Sequence, residues 1–216
     1  MTAILRSKDW EVEQRLRELG LSIDEINAVA REAYRARMNC SPLHPPTYPG
    51  TAGWATAVFQ LRDTCLPKGW RYADPGNFSM TINDKLNIYI VVATGDENCG
   101  RPYGKEPSTK TPKGMKTEAA VKRQPAFDFI EAVSDDEVQA GGVAGYMAFW
   151  LLLNFSERQI FVELSSPAEI ERGKITDWHE RNVLPIIDLD TPPISKDGKF
   201  DDGFTPDLDV PVRRIR

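Results

Sequence analysis

Histidine is nearly absent from this sequence: His44 and His179 are the only two in 216 residues. A transition-metal centre built on imidazole therefore has little material, and neither residue stands in an HExxH arrangement. Cysteine is scarce as well. Cys40, Cys65 and Cys99 are isolated and odd in number, which argues against a disulfide framework or a paired-cysteine zinc site and leaves three free thiols as the expectation. Long apolar runs are missing too. The most apolar stretch, VAGYMAFWLLLNF, falls short of the roughly 20 residues a membrane-spanning helix needs. The opening MTAILRSKDWEVEQRLREL is charged where a secretory leader would be apolar. A soluble, cytoplasmic protein with no membrane partner is expected. No GxSxG nucleophile elbow and no Walker A loop occurs, since GKEPSTKTPKG places Glu and Pro where a phosphate loop needs other residues.

What the sequence does contain points to a folded chain. The apolar fraction is 41% and there are five Trp residues, enough for a sizeable core, while 16 Pro residues imply long irregular connections. Formal net charge is −5, which gives no general attraction to nucleic acid. That average hides an asymmetry. Residues 101–124 carry seven Lys or Arg against two Glu, and residues 188–209 carry seven Asp against two Lys. Opposed fields of this kind attract within one chain or between copies, so the oligomeric state stays open.

Local patterns divide the chain. DWEVEQRLREL reads as a helix opened by Asp9, with Trp10, Val12, Leu16 and Leu19 as an apolar stripe and Gly20 as its stop. Ser22 and Glu25 have capping-box spacing before a second helix, with Leu21 and Ile26 as a staple. After the proline-rich NCSPLHPPTYPG, Thr51 is the expected cap of a third helix that buries Trp54, Val58, Leu61 and Leu66. GWRYADPG reads as an edge strand. FSMTI with LNIYIVVAT, and GYMAFWLLLNF with QIFVELS, read as two hairpins; the second strand of the first pair is apolar on both faces and therefore central. TEAAVKRQPAFDFIEAV and SDDEVQAGGVAG are weakly helical. PAEIERGKITDWHERN is expected as helix or compact loop, and VLPIIDLD as a last strand with Pro185 at an edge or bulge. The fold class is α+β: an antiparallel sheet of at least two hairpins, one face covered by the N-terminal helices. Residues 1–187 form one domain with its helical part at 8–66, followed by an acidic irregular tail at 188–216.

The stretch GDENCGRPYGKEPSTKTPKGMK, directly after an apolar strand, is the main functional candidate. Arg101, Lys105, Lys110, Lys113 and Lys116 supply positive charge and donors, and its glycines let backbone approach a ligand. Trp178, beside His179, Glu180 and Arg181, is the candidate aromatic anchor. The leading expectation is a non-catalytic interaction protein that uses charged loops to recognise a protein partner. One alternative is a metal-dependent phosphoester hydrolase in which Asp96 and Glu97 hold a divalent ion, Lys105 stabilises a phosphate and His179 moves a proton. A second alternative is a nucleic-acid-binding protein. No metal site or cofactor follows outside the hydrolase reading. The bland readings are a solvated loop, a polar strand exit at Asp96 and Glu97, core packing for Trp150, and loop packing for His44.

Overall fold

The computed structural model describes residues 3–112, 121 and 145–190. Among them the order of elements is β1 (Ile4–Arg6), α1 (Asp9–Glu18), α2 (Ile23–Met38), α3 (Tyr48–Cys65), β2 (Arg71–Ala73), β3 (Met80–Asn83), β4 (Ile88–Thr94), β5 (Met147–Phe155), β6 (Gln159–Glu171), β7 (Lys174–Val183) and β8 (Ile187–Asp188). The strands form one sheet in the order β1-β7-β6-β5-β4-β3-β2, with β8 paired to β6. The result is an α+β fold with the helices packed on one face of the sheet.

Both expected hairpins form: β3 pairs antiparallel with β4, and β5 with β6. Two other pairings are parallel, β4 with β5 and β1 with β7, so the sheet is mixed. The strands alternate cleanly. Ile88, Ile90, Val92, Phe149, Leu151 and Leu153 pack under the helices, whereas Tyr89, Val91, Ala93, Ala148, Trp150 and Leu152 face a second core. This period-two split is why β4 and β5 read as apolar throughout, and it makes them central. Each fully buried large side chain there contributes about 1.5–3 kcal/mol.

The N-terminal helices follow their signals closely. Gly20 adopts a φ of 75° at the stop, and the Ser22 hydroxyl accepts from the Glu25 N–H at 3.3 Å. Leu21 and Ile26 are both buried, as a staple requires. Three details differ. The first helix begins at Asp9 itself, with Lys8 as N-cap and no side-chain cap bond, so Asp9 acts on the helix dipole rather than on a free N–H. Trp10 is 65% exposed and lies off the apolar stripe. The third helix starts at Tyr48, earlier than a Thr51 cap would give, because Pro49 suits a first turn whose N–H groups have no partner.

On α3 the buried side is Gly53, Ala57, Val58, Leu61 and Cys65, while the expected Trp54 and Leu66 remain partly exposed. Trp54 instead donates its indole N–H to the Val92 carbonyl at 3.1 Å, beyond the last β3 pairing to β4. A β-ladder acceptor at the sheet margin is thereby satisfied.

PAEIERGKITDWHERN, expected as helix or loop, is the end of β6 and most of β7. A tight turn joins them at Arg172 and Gly173, both with positive φ, between the paired Glu171 and Lys174. Register shifts cluster around Pro167, which cannot donate to the ladder. VLPIIDLD does supply a last short strand, β8. The region around GWRYADPG forms the edge strand β2. TEAAVKRQPAFDFIEAV, except Val121, SDDEVQAGGVAG, except its last residue Gly145, and the acidic stretch beyond residue 190 lie outside the described residues. No helix among the described residues is long and apolar enough to cross a membrane.

At the far edge, β1 is fastened to β7 by a carboxylate. Glu180 accepts from Arg6 at 2.8 Å and from both Nε and Nη2 of Arg15 on α1, the nearest contact being 2.9 Å. One residue thus ties strand, helix and sheet together, and charge-assisted pairs of this type hold geometry better than neutral ones.

Candidate functional site

Residues 95–112 leave the C-terminal end of β4 and fold back against it. The Gly95 N–H continues the β4–β5 ladder by donating to Leu153 O at 3.0 Å, while Gly95 also bridges antiparallel to Thr109. Asp96 N–H donates to Ser108 O and Lys110 N–H to Thr94 O, each at 2.9 Å. The two arms of the loop are therefore zipped at their base.

Side chains from β6 and β7 fix both arms. On the outgoing arm Cys99 is fully buried, and the Gly100 N–H donates to Glu163 Oε2 at 3.0 Å. The Arg101 carbonyl accepts from Arg181 Nη2 at 3.1 Å. On the returning arm the Pro107 carbonyl accepts from Trp178 Nε1 at 3.1 Å, and Lys174 Nζ donates to the carbonyls of Thr109 and Lys110. Thr109 is fully buried. A loop whose backbone acceptors are taken up this way is part of the fold, not a solvated insertion.

The centre of this clamp is an ion pair removed from water. Arg181 Nη2 lies 2.8 Å from Glu163 Oε2, with the two side chains 6% and 0% exposed. Ser165 Oγ donates to the other carboxylate oxygen at 3.0 Å. The carboxylate thus accepts from a guanidinium, a hydroxyl and a backbone amide, which is what a charge in a low-dielectric interior requires. Beneath the same loop, burial pushes the Cys99 thiol well up from its ordinary value, and the negative charges of Glu163 and Asp96 add to the effect.

Between the clamped arms, the tip faces solvent. Tyr103 is 85% exposed, and Gly104, Lys105 and Glu106 are exposed beside it. Gly104 has a φ of 101° with open space around it, so a left-handed turn sets the direction of the tip. Arg101 stacks its guanidinium 4.9 Å from the Phe161 ring centroid.

The candidate residues are distributed as follows. Arg101, Lys105 and Lys110 lie on this loop with exposed side chains. Lys113 and Lys116 lie outside the described residues. Trp178 is fully buried in the second core with its indole N–H committed to Pro107, so it supports the loop from beneath and offers no exposed contact surface. Within 95–112, Arg101, Lys105 and Lys110 are balanced by Asp96, Glu97 and Glu106. The basic excess of residues 101–124 is thus divided between the loop, where Asp96 and Glu97 offset it, and positions after 112.

The hydrolase set is divided between the 95–112 loop and β7. Asp96 Oδ1 accepts from the Asn98 N–H at 3.1 Å, folding the carboxylate into its own turn. Glu97 is exposed, and Lys105 sits on the tip. His179 is half-buried on β7, between Trp178 and Glu180, whose partners Pro167 and Ser166 flank a register shift, as in a bulge. Among the described residues no group of three or more His, Cys, Asp or Glu is gathered as a metal site. Of the other candidates, Trp150 is fully buried core, and His44 is an exposed loop residue stacked on Tyr48 at 4.4 Å.

Sequence reasoning missed Glu163, Arg181 and Tyr103. A signal existed for the first: a lone carboxylate inside the apolar QIFVELS run of an interior strand needs a buried partner. All three cysteines are free, as expected. Burial raises the Cys65 thiol to about 12, whereas Cys40 is only half-buried. Ellman's reagent should accordingly titrate one thiol quickly in the native protein and all three in denaturant. Equal native rates for Cys40 and Cys99 would mean that the loop opens freely.

Comparison with family models, with curated proteins and with solved structures finds no match. Fold and site define an α+β protein carrying a clamped loop on its sheet, and the functional reading rests on that geometry.

Proposed function

We propose that this chain is a non-catalytic intracellular interaction protein that recognises a protein partner through the tip of the 95–112 loop. One observation carries the reading: both arms of the loop are held by buried hydrogen bonds, while Tyr103 stands 85% exposed between Arg101 and Lys105. An aromatic flanked by cations on a pre-ordered loop loses little conformational entropy on binding, and Tyr and Arg dominate the energetics of protein interfaces. Free buried thiols fit a reducing compartment.

The other readings have less support. A nucleic-acid partner calls for a cationic surface, and the described loop is charge-balanced. The hydrolase would need Asp96 released from its turn, and among the described residues no group of three or more His, Cys, Asp or Glu is gathered to hold its metal.

A photo-crosslinking residue at position 103, in cells, should yield one dominant protein adduct, lost when Lys105→Glu is added. The same probe at exposed Leu86 is the control. In a purified complex, Tyr103→Ala should weaken binding roughly 30-fold, as for an interface hot spot. Adducts at 103 no different from those at 86 would refute the proposal.

A further inference from the structure

α3 has a charge-poor outer face. Its buried side, Gly53, Ala57, Val58, Leu61 and Cys65, packs on α2 and the sheet. The opposite side presents Tyr48, Ala55 and Phe59, followed by Leu66 just past the helix end. Tyr48, Phe59 and Leu66 are 42%, 60% and 41% exposed. Over its 18 residues α3 has only two charged side chains, Arg62 and Asp63, whereas α1 has six in ten. A helix side facing bulk water normally carries charge, as α1 does. Arg62, moreover, is turned aside: its Nη2 lies 2.7 Å from Asp74, and its guanidinium sits 4.6 Å from the Tyr72 ring. Tyr72, 54% exposed on edge strand β2, extends the apolar face sideways.

The face is complementary to itself. Setting a second copy of α3 antiparallel about a two-fold axis on the outer side of the helix, level with Ala57, places Tyr48 against Leu66 of the partner subunit. It places Ala55 against Phe59 of the partner subunit, large into small, and the two-fold repeats that contact. It also places Thr51, whose hydroxyl donates to the Thr47 carbonyl of its own helix, opposite Asp63 of the partner subunit. No like charges meet along this seam. Counting about 200 Å² for each fully exposed large side chain, Tyr48, Phe59, Leu66 and Tyr72 offer roughly 400 Å² per copy, and the alanines, Thr51 and Asp63 bring the total for two copies near the ~1,000 Å² of a specific interface. We propose that the protein is a two-fold homodimer joined through antiparallel α3 helices, an isologous contact of the kind most soluble oligomers use.

Sedimentation equilibrium of the full chain tests this. Over concentrations from roughly 1 to 200 µM, the range suited to an interface of this size, the mass should rise from one chain toward two. Ala55→Arg, at an exposed position, should weaken association at least about 100-fold by burying an unpaired charge at the seam, with circular dichroism unchanged and the melting temperature unchanged when both proteins are dilute enough to be monomeric. Orientation has its own readout. In a Cys40→Ser background, oxidation of a mixture of Ala55→Cys and Phe59→Cys chains should crosslink faster than either chain alone. A monomer at every concentration overturns the proposal, as does a dimer indifferent to Ala55→Arg or crosslinks that form equally fast in each single variant.

Discussion

Glu163→Gln should destabilise the protein by about 3–5 kcal/mol, because the substitution leaves the Arg181 guanidinium buried without a counter-charge. The amide can still accept from the Gly100 N–H, so the loss reports the missing charge more than a missing hydrogen bond. Arg181→Met should cost a similar amount by stranding the carboxylate among one hydroxyl and one amide donor. Joining the two changes as Glu163→Leu with Arg181→Met should recover part of the loss, since no buried charge remains. Recovery should stay incomplete: the Gly100 N–H and Arg101 O then lack partners, and each unsatisfied buried group costs about 1–3 kcal/mol. Urea unfolding compares the four proteins, and adding Glu163→Leu alone closes the cycle that gives the coupling energy. Single variants within about 1 kcal/mol of the parent would mean that water reaches the pair and that the clamp is weaker than its geometry implies.

A second large effect is expected at Gly100. Its φ of 69° favours glycine, and a Cβ there would stand 2.8 Å from Phe161 Cβ and 3.0 Å from Val162 N. Those atoms belong to β6, which is hydrogen-bonded to strands on both sides and cannot retreat. Gly100→Ala should therefore cost about 1 kcal/mol for the backbone and a further 1–3 kcal/mol for overpacking. Gly104→Ala separates the two contributions, because Gly104 has a φ of 101° but no atom within 4 Å of an added Cβ. Only the conformational cost applies at that position. Limited proteolysis should find the loop cut sooner in Gly100→Ala than in Gly104→Ala, since only the former pushes an arm off the sheet.

Legibility in the sequence followed the range of the interaction concerned. The β3–β4 and β5–β6 hairpins could be read because alternation and a short polar turn are local signals, as were the Gly20 stop and the Ser22 cap. The end of β6 was misread: Ala168, Glu169 and Glu171 favour helix, yet the Arg172–Gly173 turn and pairing with β7 override that preference. The two parallel pairings left no local trace, because each joins strands distant in sequence. The same holds for the candidate site. Its glycines and cations were visible, but the fact that the loop is held down depends on Glu163, Trp178, Lys174 and Arg181, which lie some sixty to eighty residues further on. Trp178 was singled out for its chemistry and given the wrong side of the loop.

The parallel pairing of β1 with β7 also bears on how the protein is made. Residues 4–6 leave the ribosome with no sheet to join, because the register partner of Ile4 is Glu180. At about 5–20 residues per second, translation separates the two by roughly ten to thirty seconds. Over that interval Ile4 and Leu5 have no strand to pair with and Arg15 lacks its carboxylate, so the outer strand closes only after β7 has been made.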